Sequence, residues 1–349
     1  MSKEKMPFDK EDKKKGFVPL KTGKLPERVL KRSIVNTISL HRPEVIVGSA
    51  VGEDCAAIEL EPDEIMVLST DPITGTAKDI GSLAITVTMN DLASAGATPV
   101  GVMLTVLLPQ GTVEADIREI MRDVNTACEA AEVEVIGGHT EVTGVVSQCV
   151  ISVTGVAKVK KGQLISTGGG EPGMKLIATK WIGIEGTSII AKEKKEELKR
   201  KLPESLIDEA IRLDKYISVQ KEGLMAARLG AKAMHDVTEG GIYGALWELA
   251  EASKTGLRVD LNRIPIRQET VEICEFYNID PYKLISSGCM LIAAPEEAAE
   301  EIMKGLSAEG IPGVIIGELT EGKDRIIELG DEIRYLEPPA SDEFHKVLG

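Results

Sequence analysis

Aromatic side chains are scarce in this chain of 349 residues: 2 Trp, 5 Tyr and 4 Phe make up 3% of it. Positive charge is also short, with 41 Lys and Arg against 56 Asp and Glu and a net charge of −15. A nucleic-acid surface needs cations for phosphates and aromatic faces for bases, so no nucleic-acid partner is expected. No apolar run approaches the roughly 18 residues that would span a bilayer. No membrane association is therefore expected, and the cytoplasm is the expected compartment. The five cysteines (Cys55, Cys128, Cys149, Cys274, Cys289) are odd in number, far apart and without a C-x-x-C pair. That spacing argues against a zinc site or a disulfide framework and fits thiols in a reducing compartment. The opening stretch, MSKEKMPFDKEDKKK, mixes Lys with acids and has no apolar segment. It reads as a mobile charged arm over residues 1–19 rather than a secretory leader.

What remains is an ordinary globular composition, 43% hydrophobic and 28% charged, long enough for about two domains. A helix is expected to begin within 25–30, followed by short β-rich runs at 45–47, 55–60 and 65–68. Helix 81–95, strand 100–108, an amphipathic helix over 113–131 and strands 133–136 and 148–156 complete a first domain, placed at 20–160. The stretch KKGQLISTGGGEPG (160–173) reads as a linker. Strand 175–179, a charged helix 192–202, helices 203–213 and 217–229, a loop at 235–241 and a helix to 253 are then expected. Strands 257–261 and 290–294 and helix 295–309 end a second domain, placed at 170–340. Strands alternating with single helices indicate an α/β or α+β architecture.

Gly168-Gly169-Gly170-Glu171-Pro172-Gly173 formally matches G-x-G-x-x-G. A dinucleotide fingerprint must open a helix at its last glycines, and Pro172 with the strand-like MKLIAT denies that context. A P-loop fails too, because Met174 stands where its Lys would be.

The informative residues are acids in apolar or glycine-rich surroundings. Glu53-Asp54 precedes a small apolar strand, and Thr70-Asp71 closes an aliphatic one. Asn90-Asp91 sits in a helix whose four-residue spacing aligns Leu83, Val87, Asp91 and Ala95 on one face, with no Lys or Arg one turn from Asp91. An uncompensated carboxylate there would cost several kcal/mol, so Asp91 is expected to be metal-bound. Three such acids fit a Mg²⁺ site of one or two carboxylates completed by substrate phosphates. Gly137-Gly138-His139-Thr140-Glu141 follows a strand, and its glycines permit close backbone approach. In Asp236-Val237-Thr238-Glu239-Gly240-Gly241, Asp236 or Thr238 is a natural N-cap of the next helix, and the Gly240 and Gly241 amides would suit an anion.

The ordered run GEDCAAI, STD, NDLASAGATP, GGHTE, VTGVA, EPG, GIEGT, HDVTEGG and SSGCML resembles the aminoimidazole ribonucleotide (AIR) synthetase superfamily, and most of all its HypE-like branch. The resemblance covers about residues 20–335. It implies a two-domain α+β fold in which the mixed sheet of the N-terminal domain pairs across a homodimer, with an α+β domain after it. It further implies Mg-ATP between the domains. Asp54, Asp71 and Asp91 would be the metal ligands. Thr70, Asn90, Gly137, Gly138, Thr140, Asp236, Thr238, Gly240 and Gly241 would be the nucleotide-binding positions. A fourth acidic position of some members is His139 here, with Glu141 two residues on; these two are the candidates for orienting the acceptor. The implied function is Mg-dependent, ATP-using activation of an amide, carboxyl or phosphate oxygen of a small-molecule or protein-borne acceptor. The alternative is a nucleotide-binding partner without turnover in a hydrogenase-maturation complex. Two family cysteines have no counterpart: none stands near the end of this sequence, where HypE carries its acceptor thiol, and none precedes Cys55. Dehydration of a carbamoyl group on a tail thiol, and a selenophosphate-type thiol, are therefore not expected.

Overall fold

The structure, a computed structural model, describes residues 18–50, 52–74, 79–338 and 341–348. Residues 1–17 of the expected arm lie outside the described residues. The chain divides into two compact units, one formed by residues up to 92 with 98–161, the other by 93–97 with 162 onward.

The first unit comprises β1 (Gly23–Lys24), α1 (Glu27–Ser33), β2 (Val45–Val47), β3 (Ala57–Ile58), β4 (Glu64–Ile73), α2 (Ile80–Ser94), β5 (Thr98–Pro109), α3 (Glu114–Ala131), β6 (Glu134–Thr143) and β7 (Val150–Lys160). Its main sheet has the order β1-β6-β5-β7-β4, with β5 and β6 parallel and the other neighbours antiparallel. Helix α3 forms because Ile117, Ile120, Met121, Val124 and Cys128 recur every three or four residues, and all are buried. Burying side chains of this size contributes about 1.5–3 kcal/mol each. Helix α2 lies hard against the sheet: a Cβ on Gly155 of β7 would stand 2.8 Å from Thr88 and 2.9 Å from Leu92. The opposite face of the sheet is exposed at Met66, Leu68 and Met103.

Two expectations are corrected here. Strand β4 does not stop at residue 68; it pairs with β7 from Glu64↔Lys160 to Ile73↔Ile151, so Thr70 and Asp71 lie inside a strand. Gly137 to Glu141 is not a loop after a strand but the middle of β6, because parallel pairing with β5 continues from Gly101↔Glu134 to Pro109↔Thr143. Glycine reads as a turn former in sequence. Here Gly138, at φ 144°, lets Leu104 approach so closely that a Cβ would stand 2.1 Å from its carbonyl oxygen.

The second unit comprises β8 (Lys175–Thr179), α4 (Ile184–Glu193), α5 (Lys195–Leu198), α6 (Glu204–Ile211), α7 (Gln220–Arg228), β9 (Ala233–Val237), α8 (Gly241–Ser253), β10 (Gly256–Asp260), α9 (Gln268–Tyr277), β11 (Cys289–Ala294), α10 (Glu296–Ala308), β12 (Gly313–Thr320), β13 (Arg325–Leu329), β14 (Glu332–Tyr335) and α11 (His345–Leu348). Its sheet runs β14-β13-β10-β12-β8-β11-β9. Alternate residues of β8, β9 and β11 serve two cores. Leu176, Ala178, Val237 and Leu291 meet Leu246 and Leu249 of α8. Ile177, Met234, Met290 and Ile292 meet Ala226 of α7 and Ile302 of α10. Burial on both faces explains why CMLIAA of β11 is apolar throughout. The charged stretch expected as a helix over 192–202 is the end of α4, which starts at the buried Ile184, followed by the single turn α5. His235 and Asp236, expected in a loop, belong to β9, which pairs with β11. The architecture is a two-domain α+β fold, as expected. No helix among the described residues is long and apolar enough to cross a membrane.

Candidate functional site

The strand registers sort the candidate residues of the first unit onto two faces. Gly137, Met103, Thr154 and Thr70 form a row across β6, β5, β7 and β4 on the exposed face. The Thr70 and Thr154 hydroxyls lie 3.1 Å apart. One step along, His139 stands beside Thr105, and its Nε2 lies 3.3 Å from Oε2 of Glu141. At the β6 edge a pocket of about 420 Å³ is lined by Asp54, Thr105, Gly137, Gly138, His139 and Thr140. Asp54 is exposed there, as is the adjacent Cys55.

Asp71 belongs to the other face, in the row Gly138–Leu104–Val153–Asp71. Its Oδ2 is buried and has no hydrogen-bond partner, which is costly unless a cation or donor arrives. Two residues earlier on the same strand face, the Ser69 hydroxyl donates to the Asp91 carboxylate. Asp91 is therefore not the uncompensated charge that helix periodicity suggests; the correction comes from a strand that α2 covers. Its neighbour Asn90 is fully buried. No three His, Cys, Asp or Glu side chains among the described residues converge as a metal-ligand set, so Asp54 does not join Asp71 and Asp91 in one cluster.

In the second unit β9 delivers Asp236, only 4% exposed, to the turn before α8. The Thr238 carbonyl accepts from the Gly241 and Ser286 amides, at 3.1 and 3.3 Å. Neither Asp236 nor Thr238 caps α8: the N-cap is Gly240, at φ 83°. The capping carboxylate comes from Asp342, 102 residues on, which accepts the Gly240 N–H at 2.6 Å. Gly241, at φ 63°, could not carry a Cβ, which would meet the Tyr282 carbonyl oxygen at 2.5 Å. His235 is engaged by Glu248 of α8 at 2.8 Å. Sequence reasoning missed Glu185, in the first turn of α4. Its Oε2 is buried without a hydrogen-bond partner. Burial pushes its carboxyl up to about 7 despite hydrogen bonds to Ser287, and the charges of Asp342 and Asp236 add to the rise. The available signal was a single acid in the small-residue run Gly183-Ile184-Glu185-Gly186-Thr187. The other four cysteines, Cys128, Cys149, Cys274 and Cys289, are buried, and burial pushes each thiol up to about 12. They stay protonated at neutral pH and are poor nucleophiles.

The family described as AIR synthase related protein matches twice, by its N-terminal domain over residues 52–159 and its C-terminal domain over 171–330. Carbamoyl dehydratase HypE of Azotobacter vinelandii is 32% identical over 290 residues, covering 79% of this chain and 81% of the relative. Hydrogenase expression/formation protein HupE of Azotobacter chroococcum mcd 1 is 31% identical over 292 residues, with coverages of 80% and 82%. Among solved structures, the hydrogenase maturation protein HypE in complex with ATP superposes with a TM-score of 0.74 at 20% identity, over 92% of this chain and 97% of that one. At that identity the likeness concerns the fold.

Proposed function

This chain belongs to the AIR synthase related family, and on that premise we propose that it uses ATP with Mg²⁺ to activate the oxygen of an amide or carbamoyl acceptor in hydrogenase maturation. The observation that carries the reading is Asp71, a carboxylate with a buried oxygen lacking any partner, beside the Ser69–Asp91 pair. Such a group fits a divalent cation that takes one or two carboxylates and leaves its other positions to water and phosphates. Asp71 would hold the ion, with Asp91 as the adjacent carboxylate, while Asp54 stands apart from the two of them. When bound, Mg²⁺ neutralises charge on the transferred phosphoryl group. The names of the two relatives, a carbamoyl dehydratase and a hydrogenase expression/formation protein, support the acceptor class and the setting.

The amide oxygen attacks the γ-phosphorus, the bond to the ADP oxygen breaks, and one N–H proton is lost. The resulting imidate phosphate then expels phosphate, which departs with the former amide oxygen and the second N–H proton, leaving a nitrile. His139 and Glu141, 3.3 Å apart on an exposed strand face, would orient the acceptor and receive the protons. Thr70 and the glycine pair Gly137-Gly138 would line the approach, whereas the Gly240 and Gly241 amides are taken within the chain, by Asp342 and by the Thr238 carbonyl. The test is ATP consumption with primary amides and carbamoyl compounds as acceptors. Acceptor-dependent ADP formation supports the proposal. Tight ATP binding with no turnover would instead favour a non-catalytic partner in a maturation complex.

We extend the proposal to a homodimer formed through the open sheet face. Met66, Leu68 and Met103 are 47%, 60% and 38% exposed, and a row of apolar side chains on a sheet invites a partner. Leu68→Asp is expected to weaken association by about 2–4 kcal/mol, roughly 30-fold or more. Sedimentation at micromolar concentration should show a native dimer and a monomeric variant. A native monomer would contradict it.

A further inference from the structure

Strand β14 ends the sheet of the second unit, and among the described residues only β13 pairs with it. The two-residue turn Gly330-Asp331, with Gly330 at φ 60°, joins the two strands. Their register runs from Leu329↔Glu332 to Ile326↔Tyr335. One step beyond it, the Leu336 amide donates to the Arg325 carbonyl at 2.8 Å. Hydrogen-bonded and non-hydrogen-bonded pairs alternate along an antiparallel ladder. Counting back from Leu336, Arg334 and Glu332 turn their backbone groups to β13. Ile333 and Tyr335 therefore point their N–H and C=O groups outward, along the open edge.

The side chains follow the same alternation. Ile333 and Tyr335 share one face and are 59% and 68% exposed. Glu332 and Arg334 share the other, where they form an exposed ion pair at 2.7 Å. Edge strands are commonly guarded by charges that repel a second edge. Here the two signs alternate, and their order decides what can pair. Two copies of Glu332-Ile333-Arg334 laid antiparallel about Ile333 bring Glu332 of each opposite Arg334 of the other, twice. Ile333 then faces Ile333, with Tyr335 diagonal to it on the same face. The outward backbone groups of Ile333 fall on the two-fold axis, where such a pair exchanges both N–H···O=C bonds. The neighbouring registers that keep outward groups in contact set Arg334 against Arg334 or Glu332 against Glu332, so the charges select the register centred on Ile333.

We propose that β14 is a docking edge for a second copy of this chain, which joins two sheets of the second unit by antiparallel pairing centred on Ile333. The contact is isologous, the same strand serving both partners, so it closes on itself and does not propagate. It involves none of Met66, Leu68 and Met103, and it does not depend on how the chain uses ATP. With one short strand from each copy it is a weak contact, populated at higher concentration than the one through the first unit.

Sedimentation of the Leu68→Asp chain from micromolar to submillimolar concentration tests this, because that change removes the other proposed contact. A dimer that forms as concentration rises is expected. Glu332→Arg in the same background sets Arg against Arg twice and should weaken that dimer by about tenfold. Adding Arg334→Glu restores opposite signs at both pairs and should recover it. Ile333→Pro removes an outward N–H while keeping the bonds to β13, a place where edge strands tolerate proline, and should abolish the dimer. Hydrogen exchange of the native chain needs no variant: the Ile333 amide should exchange more slowly at submillimolar than at micromolar concentration. Equal Ile333 exchange at both concentrations would overturn the proposal. So would a Leu68→Asp chain that stays monomeric throughout, a dimer indifferent to Glu332→Arg or Ile333→Pro, or a loss that Arg334→Glu does not reverse.

Discussion

Asp71→Asn is expected to leave the ATP-free protein at least as stable as the native chain and to remove most of the stabilisation that Mg²⁺ and ATP provide together. The reason is the state of its buried oxygen. Oδ2 has no hydrogen-bond partner, so neutralising the carboxylate removes a desolvated charge without breaking a contact at that atom. A ligand at 100 times its dissociation constant stabilises by about 2.7 kcal/mol, which for a chain of this size is a melting shift of several degrees. The native chain should show that shift with both ligands and little with either alone; the variant should not. Acceptor-dependent turnover should fall by about 10²–10³, the loss typical when one group stabilising transition-state charge is removed. If Asp71 is instead only a structural acceptor, Asn should destabilise the free protein by about 1–3 kcal/mol and the ligand shift should survive. Paired melting curves decide between the two. Asp91→Asn is the contrasting variant: its carboxylate accepts the Ser69 hydroxyl, so that change weakens an existing contact and lowers free-protein stability.

Glu185→Gln is expected to stabilise the protein at pH 8 by up to about 3 kcal/mol and to have little effect near pH 4.5. The folded carboxyl is pushed up to about 7 from its ordinary 4.5, first by burial and then by the charges of Asp342 and Asp236, with hydrogen bonds to Ser287 opposing. Between those values the folded state holds a proton that the unfolded chain has lost. The contribution is therefore fully present below pH 4.5 and is lost as pH rises through 7, beyond which a charged carboxylate remains in a dry site. Glutamine keeps the shape and cannot ionise, so the difference between variant and native chain should grow from pH 5 to pH 8. Chemical denaturation at both pH values measures it. A difference that does not change with pH would show that Glu185 is already ionised throughout this range.

The sequence was most readable where structure is local. The apolar spacing of Ile117, Ile120, Val124 and Cys128 defines α3 within a residue or two of its observed ends. Gly240-Gly241 marks the start of α8 because both residues need positive φ. Legibility failed where distant pairing overrides local preference. Gly137-Gly138 favours a turn by composition, yet β5 beside it extends the strand through both residues. Asp91 looked uncompensated because the helix alone was considered, whereas its donor, Ser69, is 22 residues earlier on a strand. The capping of Gly240 by Asp342 spans 102 residues, beyond any motif window. Glu185 was hidden for a related reason: a buried carboxyl is recognised by what surrounds it, and its neighbours Asp236 and Asp342 lie 51 or more residues away.

The most direct test of the account follows one oxygen atom. The protein is incubated with Mg-ATP and amide acceptors, an S-carbamoyl thiol among them, whose carbonyl oxygen is ¹⁸O, and the inorganic phosphate released is analysed by mass. Activation of that oxygen by phosphorylation predicts one ¹⁸O in each phosphate formed with ADP, together with a nitrile or thiocyanate product. Phosphate without the label, or no ADP formed with any acceptor, would contradict it.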